Sequence, residues 1–269
     1  MIKDITIGQY IPGESFVHKL DPRVKIVLSI IFVIGLFLVN EIGGYAFIIP
    51  FILFIIFVSK LKLIYIYRGL KPIFILLIIT GLLNIFMYPG KNIMIKWSFI
   101  TVYWEGFNTA IFMILRLIFL IVGTSILTLT TSPIELTDGI EKLLNPFKKF
   151  GFPAHEIAMM MTIALRFIPT LIDETDKIMK AQMARGADFE TGNLVKRAKN
   201  LIPLLVPLFI SSFRRADELA MAMESRCYRG GVGRTRMKQL RISYRDPIAF
   251  LVVVAFLTLA ISCNWWLKL

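Results

Sequence analysis

Long apolar runs alternate with short polar stretches along this chain. Five runs stand out, at residues 24–39, 45–58, 72–88, 106–129 and 248–267. None shows the two-residue alternation of a half-buried strand, so each predicts a helix that is apolar all round. Helices of that kind belong in a bilayer, and the fourth run is long enough to cross ~30 Å of hydrocarbon at ~1.5 Å per residue. Asp21-Pro22-Arg23 opens the first helix: aspartate suits the cap, and proline suits a first turn, where its missing N–H costs nothing. Asn40-Glu41 and Gly43-Gly44 predict a tight hairpin between the first two helices, Pro89-Gly90 closes the third, and Thr131-Ser132-Pro133 ends the fourth.

The polar stretches are unequal in charge. Lys60, Lys62, Arg68 and Lys71 fill the predicted loop after the second run, and lysine and arginine recur through residues 134–246. The segment after the third run holds only Lys91 and Lys96, with Trp97, Tyr103 and Trp104 as interfacial anchors; Trp265-Trp266 marks the far interface of the last helix. Basic loops stay cytoplasmic, so a cytoplasmic amino terminus and an outward carboxyl terminus are expected. The resulting expectation is an all-α integral membrane protein of about five transmembrane helices, with long amphipathic cytoplasmic coupling helices between the fourth and fifth. Its parts are residues 1–130 (helices one to four), 131–246 (the coupling segment) and 247–269 (the last helix).

Two further apolar stretches lie inside the coupling segment, at 157–172 with Arg166 and Pro169, and at 201–213 with Pro203 and Pro207. Either has the composition to enter the membrane, giving a seven-helix arrangement; the preferred reading lays them at the cytoplasmic surface. Leu171, Thr175, Ile178, Met179, Gln182 and Met183 form one stripe there, opposite Asp173, Glu174, Asp176, Lys177 and Lys180. Such a stripe calls for a protein partner.

Residues 176–186 and 217–227 align without gaps: Asp176 falls on Asp217, Ile178 on Leu219, Ala181 on Ala222 and Arg185 on Arg226. Each arginine lies seven residues after a branched apolar side chain and so shares its helical face. Gly186 follows the first, and Gly230, Gly231 and Gly233 follow the second, so each helix should end just past its arginine. Two cationic helix tips are a layout for docking.

Composition fixes the class. Apolar residues make up 57% of 269, and the mean hydropathy is +0.72, too apolar for an ordinary soluble domain. The net charge of +13 then reads as cytoplasmic basic loops, and nucleic acid is not expected as a partner. Met1-Ile2-Lys3-Asp4 shows no cleavable signal, so the first run should remain as a membrane helix. Cys227 and Cys263 fall at different membrane levels, which disfavours a disulfide, and His18 and His155 are too far apart in sequence to suggest a metal site. No phosphate-binding loop, nucleophile elbow or intramembrane carboxylate pair occurs, so no catalytic residue and no cofactor is expected. Arg116, inside the fourth run, needs a partner or a function; candidates are Asn84 or a backbone carbonyl of a neighbouring helix.

The sequence resembles the transmembrane T components of energy-coupling factor transporters, the vitamin and metal importers of prokaryotes. The likeness covers essentially the whole chain. It rests on Gly8-Gln9-Tyr10-Ile11-Pro12-Gly13-Glu14-Ser15 with His18-Lys19-Leu20-Asp21-Pro22-Arg23-Val24-Lys25, and on the arginine motifs. Ala184-Arg185-Gly186 matches the family's Ala-Arg-Gly signature; Ser225-Arg226-Cys227 departs from it on either side of the arginine. The resemblance implies a non-catalytic coupling protein in a prokaryotic plasma membrane, bridging two ABC-type ATPase subunits and a small membrane subunit that captures the substrate. It implies that Arg185 and Arg226 each enter a groove on one ATPase, and that ATP-driven closure brings the two arginine-tipped helices together. Met159, Met160, Met161, Met179, Met183, Met221 and Met223 then have two readings, ordinary helix packing or adaptable contact with interchangeable substrate subunits; the second is favoured. A self-sufficient secondary carrier is the rival class, and it would transport with no ATPase present.

Overall fold

The computed structural model describes residues 10–39, 41–88, 92–97, 100–189, 193–231 and 240–266. Met1, Ile2, Lys3, Asp4, Gly8, Gln9, Asn40, Pro89, Gly90, Lys91 and Gly233, used above, lie outside these. Nine helices occur among the described residues: α1 (Pro22–Leu38), α2 (Ile42–Ser59), α3 (Leu63–Leu70), α4 (Phe74–Met87), α5 (Trp104–Thr130), α6 (Pro133–Leu144), α7 (Ala154–Ala184), α8 (Leu194–Ser225) and α9 (Arg245–Trp266). Two short strands, β1 (Ile93–Trp97) and β2 (Ile100–Tyr103), pair antiparallel before α5.

The chain divides into two compact units. One holds α1 to α5, the hairpin, α6 through Ile140, and α9; the other holds the chain from Glu141, including α7 and α8.

In the first unit, α1 starts as its sequence dictates. The Asp21 carboxylate accepts the Arg23 backbone N–H at 2.9 Å, and Pro22 takes the first turn. Leu28, Phe32 and Leu36, spaced by four, bury one face of α1 against Tyr45, Ile48 and Phe51 of α2, Phe119, Val122 and Ile126 of α5, and Val253 and Leu257 of α9. Glycine permits the closest approaches: a Cβ on Gly123 would lie 2.4 Å from the Phe32 ring. Opposite faces carry exposed Phe and Ile, as on α4, the surface expected of a protein solvated by lipid.

Three expectations for this unit change. Residues 60–71, read as a loop, contain α3, because Ile66 is buried while Tyr65 packs on the core. The third apolar run begins as a helix only at Phe74, after a tight 3₁₀ turn over Lys71–Ile73. The aromatic segment before the fourth run folds as the β1–β2 hairpin, in which Ile93, Ile95 and Trp97 oppose Tyr103, Val102 and Ile100.

Among the described residues, four helical stretches are long and apolar enough to cross a membrane: Leu63–Met87, Trp104–Thr130, Ala154–Ala184 and Arg245–Cys263; Gly43–Ser59 is apolar but shorter. α7 meets that criterion of length and composition, which keeps membrane entry open for residues 157–172 beside the preferred surface placement.

In the second unit, α7 and α8 run on through Pro169, Pro203 and Pro207, so each apolar stretch and the arginine motif after it belong to one helix. The pair is antiparallel. Gln182 donates to the Pro203 carbonyl at 3.5 Å, Arg215 donates to Glu174 at 2.6 Å, and the Tyr228 hydroxyl donates to the Met159 sulfur at 3.0 Å. Glu174, placed on the polar side by its sequence, thus faces α8, where Ser211 also donates to it.

Candidate functional site

Both arginine motifs end their helices in the same hydrogen-bonded turn. At the end of α7, Gly186 N–H donates to the Met183 carbonyl at 2.9 Å and Ala187 N–H to the Gln182 carbonyl at 3.0 Å, with Gly186 at φ +87°. At the end of α8, Cys227 N–H donates to Glu224 at 2.8 Å and Tyr228 N–H to Met223 at 3.0 Å, with Cys227 at φ +54°. These are two copies of one Schellman cap, with the arginine as the last residue before the left-handed position. The backbone satisfies its own terminal carbonyls, which leaves the guanidinium donors for an outside acceptor.

Ala184, Arg185, Gly186, Ser225, Arg226 and Cys227 are all exposed. Because α7 and α8 are antiparallel, the arginines stand at opposite ends of the pair. The level of Met159 on α7 matches that of Tyr228, so about 26 residues at ~1.5 Å each separate the two tips, roughly 40 Å along the axis. Sequence alignment equates the motifs without revealing that separation.

The second tip is braced from within its own unit. Tyr228, next to Cys227, approaches His155 Nε2 at 3.4 Å as well as Met159, and His155 Nδ1 meets Glu141 at 3.1 Å. In the first motif the position of Tyr228 is taken by Ala187, which has no side-chain hydroxyl to offer. The signal for this brace was His155 itself, but its partner lies 73 residues away. Of the methionines, Met160, Met161, Met183 and Met221 are exposed, while Met159, Met179 and Met223 are partly covered.

The amino-terminal motif forms a polar knot in the other unit. His18 Nε2 donates to the Ile11 carbonyl at 3.0 Å, and Ser15 Oγ bonds His18 Nδ1 at 2.6 Å, so the neutral ring carries its proton on Nε2. Buried Lys25 donates to the carbonyls of His18 (3.1 Å) and Thr130 (3.0 Å) and to Thr131 Oγ1 (3.2 Å). Asp246 accepts the backbone N–H of Asp21 at 2.9 Å and that of Ser243 at 2.6 Å. Burial pushes the Asp21 carboxyl upward, but the bonds from Arg23 outweigh it and hold the group below its ordinary range. Burial holds His18 below its ordinary value, with Lys25 adding to the effect and the Ile11 carbonyl opposing it. This knot is structural: the donors named are taken up by acceptors of the same unit, backbone carbonyls, Thr131 Oγ1 and the Asp21 and Asp246 carboxylates.

Arg116 meets a carbonyl, as one of its two expected partners. Its Nη2 donates to Val39 O at 2.8 Å, where α1 ends, and its guanidinium lies 4.5 Å from the Phe112 ring centre. Asn84 instead donates to Thr80 of its own helix.

The sequence pattern of the cobalt transport protein family, CbiQ, matches residues 13–238, a span that contains both arginine caps and the part of the knot from Ser15 to Thr131. The chain belongs to this family. It is 68% identical to the energy-coupling factor transporter transmembrane protein EcfT of Clostridium kluyveri over the full length of both chains. Against the protein of that name from Bacillus subtilis it is 48% identical, over 96% of this chain and 98% of the relative. The corresponding protein of Ruminiclostridium cellulolyticum is 55% identical over 98% of this chain and 99% of its own. The chain is thus a transmembrane T component of the energy-coupling factor type, a multi-pass membrane protein.

Proposed function

We propose that this chain couples ATP hydrolysis by two separate ABC-type ATPase subunits to movement of a small membrane subunit that captures a vitamin or metal. The observation that carries this reading is the pair of equivalent arginine caps at opposite ends of one antiparallel helix pair. Two acceptor proteins placed side by side can each take one tip, because ~40 Å leaves room for a whole domain at each. An arginine fork binds a carboxylate bidentately, which fixes direction as well as attraction. Ala184 and Gly186, and Ser225 and Cys227, flank the forks closely enough to enter the same grooves. When the ATPases close, a rigid pair of helices held at both ends turns or bends, and the methionine-bearing faces of α7 and α8 carry that motion to the substrate subunit. In this arrangement residues 131–246 and the amino terminus lie on the cytoplasmic side of a prokaryotic plasma membrane.

Replacing both arginines by alanine, and separately by glutamate, tests the reading through copurification with the ATPases and substrate uptake. Loss of one partner of a buried charge pair costs ~2–5 kcal/mol, so assembly should weaken at least ~30-fold at each tip. Intact assembly and uptake in both double variants would overturn the proposal. Uptake by the purified chain alone in liposomes would instead favour a self-sufficient carrier.

A further inference from the structure

We propose that the outward face of α3 and the start of α4 binds an anionic phospholipid, its phosphate between Arg68 and Lys71 and its acyl chains along α4. Ile64, Arg68, Lys71, Ile75, Ile78 and Leu82 follow one another in alternating steps of four and three, and all six are exposed. They form one stripe across α3, the intervening turn and α4. A guanidinium and an ammonium are therefore set into an otherwise apolar row, with Lys60 and Lys62, also exposed, at the head of α3.

Among the described residues, neither Arg68 nor Lys71 makes an ion pair. No aspartate or glutamate occurs between Glu41 and Glu105. α3 and α4 lie antiparallel along α5, with Gly69 beside Ser125 and Gly81 beside Ile114. The single carboxylate of α5 is Glu105, in its first turn and at the opposite end from Ser125. The charge must then be matched from outside the chain. Exposed apolar side chains on both sides of the cations select a ligand with an anionic head and hydrocarbon tails, already abundant where these helices sit. An acidic soluble segment would leave Ile75, Ile78 and Leu82 uncovered.

The test uses the full chain in nanodiscs of equal phosphatidylglycerol and phosphatidylcholine, with retained lipid counted by native mass spectrometry. Wild-type protein should retain phosphatidylglycerol preferentially. Arg68→Gln with Lys71→Gln should weaken that retention roughly fivefold per cation removed. Arg68→Lys should keep it. Lys148→Gln with Lys149→Gln, an equal change of charge elsewhere, should leave it unaltered. Lys60→Gln with Lys62→Gln carries the same test, with a smaller expected loss, should the first pair fail to purify. Equal retention in wild type and the α3 variants would overturn the proposal, as would an equal loss in the Lys148 and Lys149 control. So would unchanged lipid together with loss of a copurifying acidic protein. None of these outcomes depends on where Arg185 and Arg226 dock.

Discussion

Gly186 and Cys227 occupy the same left-handed position, one residue beyond the arginines that end α7 and α8. Only glycine adopts that conformation freely; a side chain there costs about 1–2 kcal/mol. Cys227→Gly should therefore raise stability by about 1 kcal/mol and leave the cap intact. Gly186→Ala should lower it by a similar amount. Thermal unfolding in detergent measures both, and a stability loss in Cys227→Gly would contradict the shared cap geometry.

Glu174 accepts from both Ser211 and Arg215 and is the main polar tie between the middles of α7 and α8. The Arg215 pair is partly solvated, which limits its worth. Glu174→Ala should destabilise the helix pair by about 1–2 kcal/mol, since it strips two donors of one acceptor. Ser211→Ala should cost less. Hydrogen exchange along α8 reads the difference, and equal protection in all three proteins would count against the tie.

Gly123 has no room for a side chain, because its Cβ would press on the Phe32 ring. Gly123→Ala should cost about 1–3 kcal/mol by overpacking. Adding Phe32→Leu should recover part of that loss, giving a favourable coupling energy in a double-mutant cycle. Strict additivity would mean that the two residues do not meet.

Two groups of the amino-terminal knot give opposite-looking but same-signed pH responses. Asp21 sits below its ordinary carboxyl range when folded, so its contribution is present at neutral pH and lost as pH falls through that lowered value. His18 is held below its ordinary value of 6.5, so the unfolded chain takes up the proton first and stability declines as pH drops from about 6.5 downward. Melting temperature should fall in two stages on acidification. His18→Gln should flatten the first and Asp21→Asn the second; a wild-type profile in either variant would remove that residue from the response.

What the sequence made readable was local. Asp21-Pro22 announced the start of α1, and Gly186 announced the end of α7, because capping is decided within a turn. α3 stayed hidden because eight residues flanked by lysines look like a charged loop until Ile66 is seen to be buried. Long helices were legible in this segment, but their full extent was not: α7 and α8 each run on through internal prolines, Pro169 in one and Pro203 and Pro207 in the other. Cys227 gave no hint of a left-handed residue, since cysteine seldom takes that role. The distance between the arginine tips depends on the antiparallel pairing of α7 with α8, which contacts such as Gln182 with Pro203 establish and neither segment encodes alone.

The carboxylate that completes the first turn around Asp21 belongs to Asp246, 225 residues further along. During synthesis the opening helix must therefore wait, its leading amide unfastened, until nearly the entire polypeptide has left the ribosome. Closure of the membrane bundle at this contact is a late event, and a product cut short before α9 would lack the carboxylate that fastens that amide.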